Sequence, residues 1–581
     1  MASRKGSKKS SKKKSAAKKV SKTARFKKKS TGAQLPTRRV AKSATAKTAT
    51  PKTRTAETSS KSPLVKKPAT RRTAPRATGP GALQQFVILP SRGLRAMAPD
   101  QQAFFVALNN QLHSPKNVVK SFSMSPQFNP PGIPAPKLKV LDEIDNETSA
   151  KLVEMSADDI TALRMQDPGA RVVPVVYYET CEVPPEKILK KFRPAAAALA
   201  ANIVVRVVAA DSGSPIVGAN VVAFTDFDLR EGASAVTNNS GKASLALSGP
   251  SISIERLYVY PPLGYWGRFK KSLTLHTGQV FKLTPITFPV TDLLEQIHGA
   301  GQPADGAGVK VAVLDTGSGP HPDLNVAGGE NTVLGEVSTD FHDNGDMHGT
   351  HVAGIIAAKG SAPTGRGGVA PGVTLFSYRV FARGQSATNF AIAKAIDRAA
   401  QQGCHLINMS LGGGAPDPVI SSAIADARVL GCVVIVAAGN DDRQPVSFPA
   451  NDPRAIAISA MGRKGSFPSD SIDASNVQGP FSTLNAKDFI ASFSNIGTKI
   501  ELTGTGVGIV STVPGGYEAM SGTSMACPAV VGLAARLLAR NPAIMNAAPD
   551  QARSDEIIRI LFAAAKDVGF PSDLQGQGLS Q

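Results

Sequence analysis

Apolar and polar positions change rhythm several times along the chain. Residues 1–83 carry almost no large apolar side chain and are built from Lys, Arg, Ser, Thr, Ala and Pro. Such a composition cannot bury enough surface to offset the entropy of ordering, so a disordered tail is expected. Regular elements begin at residues 85–89, where Gln85-Phe86-Val87-Ile88-Leu89 predicts a strand. Residues 100–112 have the helical spacing of apolar positions, and a Pro-rich loop follows over 126–136. Residues 137–144 and 150–155 predict two strands. Ser156 then opens a short helix over 157–165, with Asp159 placed as in a capping box. Residues 171–179 predict a last strand rich in Val and Tyr.

The order β-α-β-β-α-β over 84–182 is that of a ferredoxin-like α+β module. Residues 183–196 hold Pro184-Pro185, Lys190-Lys191 and Pro194. The stretch from 181 to 196 reads as an exposed linker. Over 197–288 the period shortens. Runs at 203–208 and 219–224 are β-rich, Asp211-Ser212-Gly213 and Asn238-Asn239-Ser240-Gly241 mark turns, and Ala243, Leu245 and Leu247 alternate. This pattern predicts a small Ig-like β-sandwich. Tyr258, Tyr260, Tyr265 and Trp266 cluster there and are read as packing, with a binding surface as the weaker reading.

From 289 to 581 the pattern becomes strand and helix in alternation. Residues 309–315 form an almost continuous apolar run that ends in Asp315-Thr316-Gly317. Such a run fits a strand buried on both faces of a parallel sheet, with a carboxylate at its C-terminal edge, where open α/β sheets build their sites. His348-Gly349-Thr350-His351 begins a helix of small residues. A helix over 388–401 leads into Asn408-Met409-Ser410-Leu411-Gly412-Gly413, and a buried run over 433–438 ends in Gly439-Asn440. Gly522-Thr523-Ser524-Met525-Ala526 precedes an alanine- and leucine-rich helix, so Ser524 would face the positive end of its dipole.

Charge sharpens the division into parts. The formal net charge is +22, yet residues 1–80 hold 26 Lys/Arg and one acid, leaving 40 basic and 43 acidic residues elsewhere. The basic character belongs to the tail, which fits a salt-sensitive tether to nucleic acid or another polyanion. No folded reading module accompanies it, so sequence-specific readout is not expected. Four widely spaced cysteines give neither a disulfide framework nor a zinc site. No apolar h-region follows the basic N-terminus and no run is long enough to span a bilayer. A cytoplasmic, monomeric protein is the expectation.

The set Val-Leu-Asp-Thr-Gly, His-Gly-Thr-His-Val-Ala-Gly, Asn-Met-Ser-Leu-Gly-Gly, Ala-Ala-Gly-Asn and Gly-Thr-Ser-Met-Ala resembles the subtilisin-like serine proteases in content and order. The resemblance covers residues 290–570 and implies a parallel-sheet catalytic domain acting on protein or peptide substrates. It implies that Asp315, His348 and Ser524 form the catalytic set and that Asn440 holds the oxyanion. It also implies that Ser410, Leu411, Gly412 and Gly413 line an extended substrate, while His351 is structural. Position lends the 84–182 module a resemblance to the family's propeptide/inhibitor module. The sandwich is similar to carboxypeptidase-regulatory-like domains. Members are commonly secreted, against the missing signal. No cofactor is expected. Asp323, in His321-Pro322-Asp323-Leu324, matches a calcium ligand of some members, but the Asn-rich partner loop is absent. The rival reading is a catalytically silent scaffold tethered to nucleic acid by the tail. Self-cleavage, if it occurs, is expected within 181–196 or near 289–300.

Overall fold

The computed structural model describes residues 81–581 except 113–118, 124–134, 194–201, 289–290 and 362. The tail and its polyanion-tether reading therefore lie outside the described residues, save for 81–83. Among the described residues no helix is long and apolar enough to cross a membrane.

The C-terminal half is built on a parallel sheet. In spatial order its strands are Val326–Asn331, Thr374–Arg379, Lys310–Asp315, Leu406–Met409, Val433–Ala437, Ile456–Arg463 and Leu502–Thr505. The short strands Leu579–Ser580 and Ala565–Lys566 close one edge. The central strands Lys310–Asp315 and Val433–Ala437 read as almost continuous apolar runs because helices cover both faces. Val311, Val313, Val433 and Ile435 face a core shared with Val352, Ile355, Met525 and Val530. Their neighbours Ala312, Leu314, Val434 and Val436 face a second core with Phe390, Ile396, Val419 and Ile420.

Ahead of this domain lies an antiparallel sheet in the order Lys120–Ser121, Lys137–Glu143, Lys151–Ser156, Leu83–Leu89 and Arg171–Pro174. Its helices are Pro99–Leu112 and Asp159–Gln166. Phe86 and Ile88 pack with Phe104, Phe105, Leu108 and Leu163. Val87, Leu89 and Leu152 point the other way, into the core of the C-terminal helices Asn389–Gln401 and Pro418–Val429. Residues 86–89 are apolar without alternation because both faces are covered. Charges rim this contact. Arg95 Nη1 and Nη2 each lie 2.8 Å from an Asp397 carboxylate oxygen. Lys394 Nζ meets Asp142 at 2.8 Å, Arg398 meets Asp145 at 2.7 Å, and the Leu94 N–H donates to Asp426 at 2.9 Å.

Arg95 is the main partner of a carboxylate whose side chain is only 1% exposed, whereas Arg95 itself is 26% exposed. Removing one member of a half-buried pair strands the other, at about 1–3 kcal/mol. Arg95→Ala is thus expected to loosen the N-terminal sheet. Amide hydrogen exchange across 86–89 should accelerate; unchanged protection would contradict this role.

The predicted single strand over 171–179 is corrected. Arg171–Pro174 pairs in the N-terminal sheet, whereas Tyr177–Thr180 leaves it and pairs with Ala387–Thr388 and Leu411–Gly412 of the C-terminal half. The Val175 N–H still donates to the Gln85 carbonyl at 3.1 Å, and the change of partner comes at Val176, whose carbonyl accepts from the Asn389 N–H at 2.9 Å.

Residues 202–283 form two facing sheets. One runs Arg268–His276, Ser251–Tyr260, Asn220–Asp226, Glu231–Val236 and Lys190–Lys191; the other runs Lys242–Ser248, Asn202–Ala209 and Val280–Leu283. Alternating residues Ile203, Val205, Val207, Ala243, Leu245 and Leu247 fill the space between them. The exposed-linker reading of 181–196 is corrected in part: Pro184, Pro185, Lys187 and Leu189 are exposed, but Cys181 is 6% exposed, the exposed pair Lys190–Lys191 is a strand of the first sheet, and 194–196 lie outside the described residues. Tyr258 and Trp266 are buried, as the packing reading expects.

Candidate active site

Each predicted functional side chain stands at an element end. Asp315 closes the strand Lys310–Asp315, at the edge where the order of the parallel sheet departs from chain order. His348 is the first residue of the helix His348–Ala357. Ser524 lies in the first turn of the helix Thr523–Ala539, whose interior Pro528 also falls near its N-terminal end. Asn440 follows the strand Val433–Ala437.

His348 Nδ1 and Asp315 Oδ1 are 2.7 Å apart, both fully or almost fully buried. Burial alone would push the His348 pKa down, but the carboxylates of Asp315, Glu182 and Asp346 outweigh it and raise the value to about 9. His348 Nε2 has no hydrogen-bond partner among the described residues. The Ser524 hydroxyl donates instead to the Ser410 carbonyl at 3.0 Å, while the Ser410 hydroxyl donates to the Ser524 carbonyl at 2.9 Å. His351 is a different case. Its Nε2 lies 3.1 Å from the carbonyls of Ile509 and Glu518, and burial lowers its pKa to about 3.

The chain's own strand Tyr177–Thr180 occupies the cleft. It lies antiparallel between Ala387–Thr388 on one side and Leu411–Gly412 on the other. The Cys181 N–H donates to the Ser410 carbonyl at 3.0 Å. Its own carbonyl oxygen then accepts two hydrogen bonds, from the Ser524 N–H at 3.0 Å and from Asn440 Nδ2 at 2.5 Å. A Cβ at Gly522 would sit 2.6 Å from that oxygen, so only glycine admits this approach. Glu182 follows, its carboxyl pushed up by burial and its charge felt by His348. The next N–H, of Val183, donates to the Ser521 carbonyl at 3.0 Å.

Ser410, Leu411 and Gly412 thus meet the strand directly. Gly413 does not: its N–H donates to the Phe448 carbonyl. Sequence reasoning missed the opposite wall, Ala387–Thr388, and the pocket around Tyr178. That ring is fully buried against Gly414 and Phe448, and its hydroxyl donates to Asp417 Oδ2 at 3.3 Å. Cys181 fills a second pocket beside Gly412. The Tyr177-Tyr178 pair ahead of Cys181 was the available signal, and Tyr178 is its buried member.

Residues 306–579 match the model of the subtilase family. Over 242 residues the chain is 38% identical to Subtilisin Savinase of Lederbergia lenta, an alignment covering 42% of this chain and 80% of that protein. The chain belongs to the subtilase family. Two further proteases are similar over the same region. M-protease of Shouchella clausii is 38% identical over 42% of this chain, and the match spans only 57% of that protein. A thermostable alkaline protease of Halalkalibacterium halodurans is 36% identical over 49% of this chain and 69% of its own length. The subtilase match begins after the N-terminal sheet and the sandwich, so neither module is covered by the family model.

No group of three or more His, Cys, Asp or Glu suited to a metal occurs among the described residues. Asp323 is instead bonded to the hydroxyls of Ser361 and Tyr517, and these lower its pKa against the effect of burial. The four cysteines are free and buried.

Proposed function

We propose that this subtilase is a serine endopeptidase that first cuts its own Cys181–Glu182 bond. The observation that carries the reading is the Cys181 carbonyl oxygen, held jointly by the Ser524 N–H and Asn440 Nδ2. Those are the donors an acyl-transfer site needs where negative charge develops. Ser524 attacks that carbonyl, and His348 takes its proton and delivers it to the Glu182 amine. Asp315 fixes the imidazole tautomer and stabilises the imidazolium. Rotation of the Ser524 hydroxyl from Ser410 toward His348 Nε2 precedes attack, since its present hydrogen bond points away from the base.

In this reading the 84–181 segment is a ferredoxin-like, inhibitor-like module whose last strand is the first substrate. The bound strand indicates preference: a small side chain before the cut, as at Cys181, and an aromatic ring at the position of Tyr178. An intact-mass time course with a fluorophosphonate probe tests the reading. Cleavage between 181 and 182 followed by labelling of Ser524 supports it. Equal labelling of wild type and Ser524→Ala would leave the silent-scaffold reading standing instead.

The pH dependence has a definite sign. Neutral imidazole is the base, so a His348 pKa of about 9 keeps most molecules protonated at neutral pH, and the self-cleavage rate should climb toward alkaline pH. Glu182→Gln removes one of the anions raising that pKa. The midpoint of the pH–rate profile should move down, with the rate at pH 7 rising by up to about tenfold. A midpoint that stays put would show that Glu182 does not hold the histidine charged.

A further inference from the structure

We infer that the β-sandwich carries a binding surface for the strand leaving the active site, and that it retains the new amine after self-cleavage. This inference rests on the proposed cut at Cys181–Glu182. Beyond Val183, the diproline Pro184-Pro185 restricts the backbone, and the Glu186 N–H then donates to the Tyr260 hydroxyl at 2.8 Å. The Glu186 carboxylate pairs with Arg230. The Leu189 and Lys190 N–H groups both donate to the Arg230 carbonyl, at 3.1 and 3.2 Å, and the Phe192 N–H donates to Gly232 at 3.0 Å. Lys190–Lys191 pairs in parallel with Glu231 and Gly232, and Lys190 forms an ion pair with Glu231. Ile188 packs on Val222, Phe224 and Tyr258. The aromatic cluster of the sandwich is therefore a contact surface at Tyr260 as well as a core at Tyr258.

The sandwich is itself fixed to the catalytic domain. The Phe269 N–H donates to the Asp470 carbonyl at 2.8 Å, the Ile472 N–H donates to Gly267 at 3.1 Å, and Arg268 pairs with Asp470 at 2.7 Å. Both sides of the scissile bond are thus anchored to one body. When the Ser524 Oγ–C bond forms and the Cys181–Glu182 C–N bond breaks, His348 passes its proton to the departing amine. That amine is tethered beside the acyl carbon by Ser521 and the sandwich. It can return its proton to His348 and attack the ester, reforming the peptide and freeing the serine hydroxyl. Well-oriented intramolecular groups reach effective concentrations of about 10⁵ M or more, so religation competes with hydrolysis. Self-cleavage is accordingly slow and reversible while the segment stays seated.

The test compares the full-length wild type with Ile188→Asp/Lys190→Pro and, separately, with Tyr260→Phe. The first variant alters only the seated segment and the second keeps its aromatic ring, so the core between the two sheets, around Val205, Leu245 and Phe281, is untouched in both. Cleavage between 181 and 182 is followed by intact mass, and thermal unfolding confirms folding. The double variant is expected to cleave about tenfold faster or more, with Tyr260→Phe in between, while wild type stalls at a constant ratio of intact to cleaved chain. Wild type running to completion at the variants' rate would overturn the inference even where Ser524 takes up the fluorophosphonate. A folded double variant that neither cleaves nor labels at Ser524 would instead sink the protease reading and this inference with it.

Discussion

Ser524→Ala is expected to leave the Cys181–Glu182 bond whole through a time course in which the parent chain is cut. The substitution removes one oxygen from a buried helix start and leaves the Ser524 N–H on the Cys181 carbonyl, so the substrate strand should stay bound. What is lost is the atom that, in the proposed reaction, forms the acyl-enzyme. The drop should be about a millionfold, the magnitude established for subtilisin, this family's reference enzyme. Intact mass after prolonged incubation at alkaline pH is the measurement. A chain cut at 181 in the alanine variant would mean that another protease, or another nucleophile, does the work.

Asn440→Ala is expected to slow the same cleavage by about 10²–10³-fold, the range known for loss of one such donor in subtilisin. The side chain has two tasks here. Nδ2 donates to the Cys181 carbonyl at 2.5 Å, and Oδ1 accepts from the Thr523 N–H at 3.0 Å and from its hydroxyl at 2.8 Å. The first bond should strengthen as charge builds on the carbonyl oxygen. The second holds the first turn of the Ser524 helix, and its loss should cost about 1 kcal/mol of stability. Cleavage rate and unfolding midpoint, read together, separate the two. A rate loss of under tenfold would mean that Asn440 does not bear the developing charge.

The elements that hold the proposed site residues were legible because their signals are local. Asp315 ends an apolar run, His348 and Ser524 open helices of small residues, and Asn440 follows a glycine at the end of a strand. The parallel sheet was legible for the same reason. The destination of residues 177–192 was not. A strand seated against Leu411–Gly412, more than 230 residues away, is held largely by backbone hydrogen bonds, which leave no mark in side-chain pattern. Pro174 lies just before the change of partner at Val176, but the valines on either side suggested one continuous strand. Lysines and prolines over 184–191 suggested solvent, yet the segment is bound through its N–H groups and Ile188 while Lys190 remains largely exposed. The Tyr178 pocket depends on Gly414, Asp417 and Phe448, residues brought together only by the fold.

The N-terminal sheet shares one apolar face with the catalytic helices, through Val87, Leu89 and Leu152. Lifting it away after the cut would wet that face and its counterpart at Phe390, Ile420 and Ala423 together. Each surface thereby becomes sticky at the moment the other is lost. On the proposed reading, cutting the chain and discarding the severed piece are therefore separate events with separate barriers. The second resembles the unpeeling of a core more than the release of a ligand, and an unsupported sheet with an uncovered face is also the form most open to digestion.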